Sequence, residues 1–244
     1  MSDFRFTRPE SFPPIVKNLL IINILVWVAQ LIFDQQYDLS GKLGMWPVQS
    51  PHFNPYQIAT HMFTHASYEV DQFGNRSIIF FHILFNMFHL WMFGRILENV
   101  WGSKRFLFFY LACGVGAALA HMAVQYFEYK EVYAAIQQAR ELGYTDIATR
   151  IEDAPRYVVG ASGAVMGVMV AFALLFPNTE LYFMFLPIPV KAKWIIIGLV
   201  AIDLFFGLNP YQNDNVAHFA HLGGALTGFI IVMIWNKTNR RTMY

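Results

Sequence analysis

Charged residues are scarce in this chain of 244 residues, where Asp, Glu, Lys and Arg together make up 14%. A soluble domain of this length carries about a quarter charged residues. Hydrophobic residues reach 56% and aromatic residues 17%. A soluble fold could not bury so much apolar surface, so the composition indicates a membrane protein. The net charge of +1 gives no indication of nucleic-acid binding, and we expect no nucleic-acid partner.

Cysteine is nearly absent, since Cys113 is the single one. No intrachain disulfide can form, and Cys113 lies in an apolar run, where it is expected to be a small packing residue. Residues 1–10 lack the apolar core and the small-residue cleavage site of a removable signal peptide. We therefore expect the first apolar run to remain as a membrane anchor.

Six apolar runs predict six membrane-spanning helices, because a helix needs about 20 mostly apolar residues to cross the hydrocarbon core and satisfies its own backbone there. The fifth run allows a start as early as Ile188. We expect one all-α domain over residues 1–244, a six-helix bundle with a long first external loop and an extended loop between helices 3 and 4. The predicted spans are 15–33, 78–93, 106–127, 157–176, 194–208 and 216–235.

Basic residues in the connecting segments predict the orientation of the bundle. An even number of spans puts both termini on one side. That side carries the larger basic set, which is Arg5, Arg8, Lys17, Arg95, Lys104, Arg105, Lys191, Lys193, Lys237, Arg240 and Arg241. The opposite side carries Lys42, Arg76, Lys130, Arg140, Arg150 and Arg156. The positive-inside rule therefore predicts cytoplasmic termini, and the lack of a transit-like N-terminus favours a bacterial inner membrane.

Both external loops are long enough to carry structure of their own. The first, 34–77, contains three prolines and several aromatic residues, and we expect a folded loop that dips into the membrane interface. The second, 128–156, contains a helix-like stretch, 129–142, that stops at Gly143. For this stretch we expect an interfacial helix without a chemical role.

Polar residues inside apolar runs need an explanation, because the membrane interior penalises them. His82, Ser162 and His221 each fall in the first third of a span that runs from outside to inside, so we expect them at similar depth near the outer face. Asp203 lies near the end of an outward-running span and is expected near the same face. A lone serine usually bonds to its own helix, but the shared depth of these groups favours a joint site.

Stripes of small residues predict close packing of the fourth and sixth helices. Such stripes often indicate packing and nothing else, because small residues let membrane helices approach closely. Here His221 shares a helical face with the stripe of the sixth helix, and the fourth helix carries a comparable stripe around Ser162, so His221 is expected to lie over Ser162. The glycines are Gly160, Gly163 and Gly167 on the fourth helix and Gly224 and Gly228 on the sixth.

Four motifs resemble those of the rhomboid family, and the resemblance covers about residues 15–236. They occur in the family's order, on helices of the expected direction. The motifs are His82-Ile83-Leu84-Phe85-Asn86, Gly94-x-x-x-Glu98-x-x-x-Gly102, Gly160-Ala161-Ser162-Gly163, and Ala220-His221-Leu222-Gly223-Gly224 followed by Gly228. His218 also follows an alanine, but only His221 has glycine at both required offsets, so His218 is expected to be secondary.

The resemblance implies an intramembrane serine endopeptidase that cleaves transmembrane-helix substrates near the outer face of the bilayer. It implies Ser162 as nucleophile and His221 as base, a dyad without an acid. It further implies His82 and Asn86 as oxyanion donors beside the Ser162 backbone N–H, with Gly160 allowing close approach. The implied partners are single-span membrane proteins and the lipid bilayer, with no cofactor and no metal.

Asp203 and the first external loop stand outside the family pattern. We expect Asp203 to be solvated or bonded to a loop, without a direct catalytic role. Tyr56-Gln57 occupies the place where many relatives have Trp-Arg, and extra residues, 67–81, separate His65 from His82. These departures affect the loop and substrate access, not the implied catalytic residues.

Three alternative functions are weighed against this one. A catalytically silent relative that binds membrane helices or serves quality control would have lost Ser162 or His221, and both are present. A zinc protease would need His-Glu-x-x-His, which is absent, and His218 and His221 are too few ligands without a nearby acid. A soluble α/β hydrolase is excluded by the six apolar runs and by Ala164, where its serine motif requires glycine.

Overall fold

The computed structural model describes residues 10–70, 73, 75–154, 156–183, 186–209 and 216–238. Four of the basic residues used to predict the orientation lie outside the described residues: Arg5, Arg8, Arg240 and Arg241. The helices of the described part are α1 (Pro14–Tyr37), α2 (Leu39–Leu43), α3 (Gln57–Thr60), α4 (Phe81–Trp101), α5 (Ser103–Glu141), α6 (Thr145–Glu152), α7 (Ser162–Leu175), α8 (Ala192–Leu208) and α9 (His218–Thr238). A 3₁₀ turn, His61–Phe63, follows α3.

The six longest helices, α1, α4, α5, α7, α8 and α9, follow the order of the six predicted spans. Among the described residues, α1, α5 and α9 are long and apolar enough to cross a membrane, and α7 is a shorter apolar helix. The prediction of an all-helical membrane fold is thereby confirmed.

Helix α7 forms the centre of the bundle. Its residues 163–173 are all buried, and it packs against α4, α5, α8 and α9. Large apolar side chains instead cover the outer faces of the surrounding helices, as with Leu25 of α1 and Phe205 of α8, which are 63% and 61% exposed. Exposed apolar faces of this size suit hydrocarbon rather than water.

In the described part of the chain, two short antiparallel hairpins interrupt the helical pattern, and neither was predicted from the sequence. Strand β1 (Tyr68–Val70) pairs with β2 (Arg76–Ile78) at the end of the segment 34–77, which is predicted to be external and keeps the name first external loop. Strand β3 (Glu180–Phe183) pairs with β4 (Leu186–Lys191) before α8. The early start of the fifth span is therefore wrong, because Ile188 lies in β4. Similarly, the second helix begins at Phe81 rather than at residue 78, since Ile78 ends β2.

The fourth helix begins at Ser162 and not at residue 157 as predicted. Val158 forms an isolated antiparallel bridge with Met45 of the first external loop, with N–H···O distances of 2.9 Å in both directions. The chain therefore stays extended until just before Ser162. This bridge ties the first external loop to the segment that carries the candidate nucleophile.

Helix α5 includes residues 129–141, nearly all of the stretch 129–142 that was predicted as an interfacial helix. With 39 residues, α5 is about 58 Å long, nearly twice the hydrocarbon thickness of about 30 Å. Its last turns pack Tyr133 and Ile136 against Ala148 of α6. The predicted stop is confirmed, because α5 ends at Glu141 and Gly143 has φ +85°.

Glu98, from the Gly-x-x-x-Glu-x-x-x-Gly motif, caps the first helix from the end of α4. Its buried carboxylate accepts the backbone N–H groups of Ile15 and Val16 at 2.9 and 2.8 Å and the hydroxyl of Ser103 at 2.7 Å. First-turn N–H groups have no acceptor within their own helix. The motif therefore joins α1, α4 and α5 at one end of the bundle.

Candidate active site

Ser162 is the first residue of α7, and a short extended segment precedes it. Gly160 has φ +133°, a conformation open essentially to glycine alone. Its N–H donates to the carbonyl of His61 at 3.0 Å. A Cβ at Gly160 would lie 3.1 Å from His82 Nε2 and 3.4 Å from Ser162 Oγ. Gly160, His82 and Ser162 therefore surround one small space.

His221 lies over Ser162, as the glycine stripes predicted. Its Nε2 is 2.8 Å from Ser162 Oγ. The approach of α9 to α7 depends on the absence of side chains between them, since a Cβ at Gly224 would lie 1.9 Å from the carbonyl oxygen of Gly163. Backbone contact between the two helices brings the hydroxyl and the imidazole into hydrogen-bond range.

Asp203 of α8 meets the other side of His221, and its predicted surroundings are wrong. The residue is 6% exposed, and its Oδ1 lies 3.0 Å from His221 Nδ1 and 2.7 Å from His218 Nδ1. Sequence reasoning noticed this charge but could not identify its partners. The sequence feature that marks Asp203 is that it is the one charged residue between positions 194 and 208.

The arrangement assigns the proton on His221. An ionised carboxylate only accepts hydrogen bonds, so a neutral imidazole bonded to it carries its hydrogen on the facing nitrogen. His221 Nδ1 therefore donates to Asp203, and Nε2 is left as an acceptor for the Ser162 hydroxyl. This is the tautomer that a general base for Ser162 requires.

His82 has the opposite tautomer. The backbone N–H of Ala66 donates to its Nδ1 at 3.2 Å, so Nε2 carries the hydrogen and points toward the space beside Gly160. Asn86, one turn further along α4, donates its Nδ2 to the His82 carbonyl at 2.9 Å. His82 thus presents an N–H donor beside Ser162, whereas the Asn86 amide bonds within its own helix.

A buried glutamine fixes the first external loop. Gln57 accepts the N–H groups of Trp46 and Asn54 at 3.4 and 3.1 Å and donates to the carbonyls of Lys42 and His52 at 3.2 and 3.1 Å. The departure from the family pattern at this position therefore has a structural role in the loop.

A second glutamine, Gln30 of α1, holds the loop next to His82. It bonds the carbonyl of His65 at 2.9 Å and the N–H of His65 at 3.1 Å. The His65 ring lies 5.3 Å from the His82 ring. Burial, with a smaller contribution from His82, lowers the pKa of His65 to about 3, and burial also lowers the pKa of His61. Both loop histidines therefore stay neutral at pH 7 and add no positive charge to the site.

Asp203, His218 and His221 are also the residues of the described part that could together hold a metal ion. The two histidines therefore do have a nearby acid, and the prediction that they lack one is wrong. Their 2.7 and 3.0 Å separations from Asp203 are hydrogen-bond distances. The ligand atoms of a tetrahedral zinc ion stand further apart, at roughly 3.3 Å. The observed distances therefore fit hydrogen bonds better than a metal site.

Comparison with known proteins gives consistent matches. A model of the rhomboid domain family matches residues 52–237. RHOMBOID-like protein 12, mitochondrial, of Arabidopsis thaliana is 28% identical over 217 residues, covering 88% of this chain and 56% of that protein. Rhomboid protease AarA of Providencia stuartii is 29% identical over 229 residues, covering 88% and 69%. Rhomboid protease GluP of Bacillus subtilis is 28% identical over 148 residues, covering 61% and 22%.

The chain spans only part of these relatives, about half the length of the first. Their names state protease activity for two of the three. The segment matched by the family model contains Ser162, Asp203 and His221.

Proposed function

The chain belongs to the rhomboid family, and from this premise we propose that it is an intramembrane serine endopeptidase with Ser162 as nucleophile and His221 as base. The observation that carries the proposal is the 2.8 Å separation of Ser162 Oγ and His221 Nε2. A serine hydroxyl is a poor nucleophile until a base takes its proton, and neutral imidazole suits that role near pH 7.

The proposed reaction begins when His221 Nε2 takes the hydroxyl proton of Ser162 and Oγ attacks the scissile carbonyl of a locally unwound substrate helix. The tetrahedral intermediate collapses as the C–N bond breaks, and His221 gives the proton to the leaving amine. Water from the outer face then hydrolyses the acyl-enzyme with His221 again as base. A site near the membrane surface supports this reaction, because the bilayer centre holds no water.

The oxyanion of the intermediate needs hydrogen-bond donors. We assign this role to the Ser162 backbone N–H, which as the first helical residue has no acceptor in its own helix, and to His82 Nε2–H. Asn86 would use the second N–H of its amide, since one is donated to the His82 carbonyl. One such donor stabilises the transition state by roughly 3 kcal/mol in serine proteases.

The proposed substrates are single-span membrane proteins, cut near the outer face of the bilayer. The proposed arrangement is one domain with six spans, both termini in the cytoplasm and the site open toward the opposite side. A bacterial inner membrane is the proposed location. The basic residues of the connecting segments support this orientation.

Cleavage of a single-span reporter in liposomes tests the proposal. We expect the wild type to cut, and Ser162→Ala and His221→Ala each to lose activity by about 10⁴-fold or more, since either loss removes the unit that attacks. Ser77→Ala and His52→Ala are matched controls, because both residues are exposed and lie in the external loop. Both controls should cut like the wild type.

Labelling by a serine-reactive fluorophosphonate separates narrow specificity from lack of catalysis. Wild-type protein that unfolds cooperatively on heating, cuts no reporter and takes no label at Ser162 would overturn the protease proposal. The catalytically silent helix-binding function would then take its place.

A further inference from the structure

The aspartate on α8 is the feature that a Ser-His dyad leaves unexplained. Asp203 is the one charged residue in fifteen consecutive positions, 194–208, and its side chain is 8% exposed. An ionised carboxylate in such surroundings is costly unless it is paired. Its two described partners are the Nδ1 atoms of His221 and His218. The role of Asp203 therefore concerns His221, the proposed base.

Ser162, His221 and Asp203 form a continuous hydrogen-bonded chain across three helices. Ser162 Oγ is 2.8 Å from His221 Nε2, and His221 Nδ1 is 3.0 Å from Asp203 Oδ1. The two ring nitrogens of one imidazole thus face a hydroxyl on one side and a carboxylate on the other. A serine triad has this connectivity, whatever the order of its members along the chain.

We propose that Asp203 is a positioning residue for the hydrolysis: it holds His221 as the Nδ1–H tautomer and stabilises the imidazolium that forms when Ser162 attacks. This inference rests on the proposed function and replaces the dyad without an acid. The proton of Ser162 moves to His221 Nε2, the electron pair of Oγ forms the new C–O bond, and the Nδ1 proton stays on His221. Asp203 itself gains no proton.

His218 contributes by fixing the carboxylate. Its Nδ1 shares the same oxygen of Asp203 at 2.7 Å, and its ring lies 6.4 Å from the ring of His221 at an interplanar angle of 85°. Two donors from successive turns of α9 hold one oxygen between them, which restricts the rotation of the Asp203 side chain. His218 is thus a neighbour of the base without contact to Ser162 in the described contacts.

Kinetics of Asp203→Asn test the proposal. Asparagine keeps the size but loses the charge, and in soluble triads this change lowers kcat by up to about 10⁴-fold. We expect kcat to fall by about 10²-fold or more, KM to change by less than about threefold, and fluorophosphonate labelling of Ser162 to slow in parallel. Asp153→Asn is the matched control. Asp153 also pairs with a histidine, His52, at 2.8 Å, but both side chains are exposed and lie in loops.

The pH profile separates a positioning role from a merely structural one. Without the carboxylate the imidazolium is less stable, so the acid limb of kcat/KM should move to lower pH in Asp203→Asn. Besides Asp203, the described titratable groups that influence or face His221 are His82, His121 and His218, and all three remain in the variant. Activity within twofold of the wild type, or a loss with an unmoved acid limb, would overturn the proposal.

Nuclear magnetic resonance of ¹⁵N-histidine-labelled protein provides a readout that needs no turnover. The His221 signal, identified by its loss in His221→Gln, should report hydrogen on Nδ1 in the wild type and a changed Nδ1–H resonance in Asp203→Asn. A His221 hydrogen on Nε2 in the wild type would contradict the inference. Cleavage that a metal chelator abolishes and added Zn²⁺ restores would also contradict it.

Wild-type behaviour distinguishes the two proposals. An active wild type with an unaffected Asp203→Asn variant removes only the role of Asp203. A folded wild type that neither cuts nor takes label removes the protease function, and the role of Asp203 falls with it.

Discussion

At the scale of single residues, Gly160 combines two requirements that only glycine meets. Its φ of +133° lies in a region that side chains rarely adopt, and the space above it belongs to His82 and Ser162. We expect the backbone requirement to affect stability and the space requirement to affect the proposed cleavage. A second glycine of positive φ allows the two effects to be separated.

We expect Gly160→Ala to abolish most cleavage, by about 10²-fold or more, because the new methyl group would crowd the oxyanion space. Gly143→Ala is the control, since Gly143 has φ +85° with nothing near its Cβ position. Strain of about 1 to 2 kcal/mol should lower the melting temperature of both variants. Reporter cleavage and thermal unfolding, measured side by side, check this.

A Gly160→Ala variant with normal cleavage would contradict the geometry of the site. Inactivity of Gly143→Ala would show that strain alone, without crowding at Ser162, suffices to inactivate the protein.

Asp203 illustrates why the residues of a site are predicted more easily than their neighbours. That Ser162 and His221 lie together could be predicted, because each stands in a motif with glycines at helical spacing. Asp203 stands in no such motif, and the rotation of α8 about its axis decides whether it faces lipid, a loop or α9. That rotation depends on side-chain packing with α7 and α9, which periodicity in one helix does not reveal.

At the scale of helices, the site exists because α7 and α9 touch through their backbones. The contact runs along Gly163, Gly167, Gly224 and Gly228, where added Cβ atoms would come within 3.1 Å of carbonyl oxygens on the opposite helix. Small residues are the usual means of close packing between membrane helices. The interface therefore controls both the stability of the bundle and the Ser162–His221 distance.

We expect Gly224→Ala to separate α7 from α9, because its Cβ would lie 1.9 Å from a backbone oxygen that cannot move aside. The melting temperature should fall by several degrees, with a cost of about 1 to 3 kcal/mol, and reporter cleavage should be lost. Gly198→Ala is the matched control, since Gly198 lies in α8 with open space around it. This control should be neutral or slightly stabilising.

Equal effects of Gly224→Ala and Gly198→Ala on melting temperature would argue against the backbone contact. Helix content, followed by circular dichroism, should stay unchanged in both variants.

Most helices could be predicted from the sequence, but several of their ends could not. The apolar runs identify α1, α7 and α9 because burial or lipid exposure demands long hydrophobic stretches. The start of α7 at Ser162 depends on the bridge between Val158 and Met45, a contact between segments more than a hundred residues apart. The hairpins β1–β2 and β3–β4 are too short for a period of two to stand out.

At the scale of the whole molecule, the proposed orientation can be read with a single chemical probe. Cys113 is the one cysteine of the chain and is fully buried, so an introduced cysteine should react without background. Lys104, at the start of α5, and Asp146 of α6 are both exposed and belong to connections predicted to lie on opposite sides of the membrane.

A membrane-impermeant maleimide should label Asp146→Cys in intact cells and Lys104→Cys only after lysis, because the positive-inside rule puts the α4–α5 connection in the cytoplasm. Labelling in the reverse order would invert the orientation and move the site to the cytoplasmic face. Reporter cleavage by both variants confirms that the cysteines leave the fold intact.

The separation of the site among three successive helices has a consequence for biosynthesis. Ser162 precedes His221 by 59 residues, and ribosomes add about 5 to 20 residues per second. For about 3 to 12 seconds of each synthesis, the nucleophile has therefore been made while its base has not. During that interval the proposed protease cannot attack neighbouring membrane segments, including its own, and the proposed activity begins only when α9 docks.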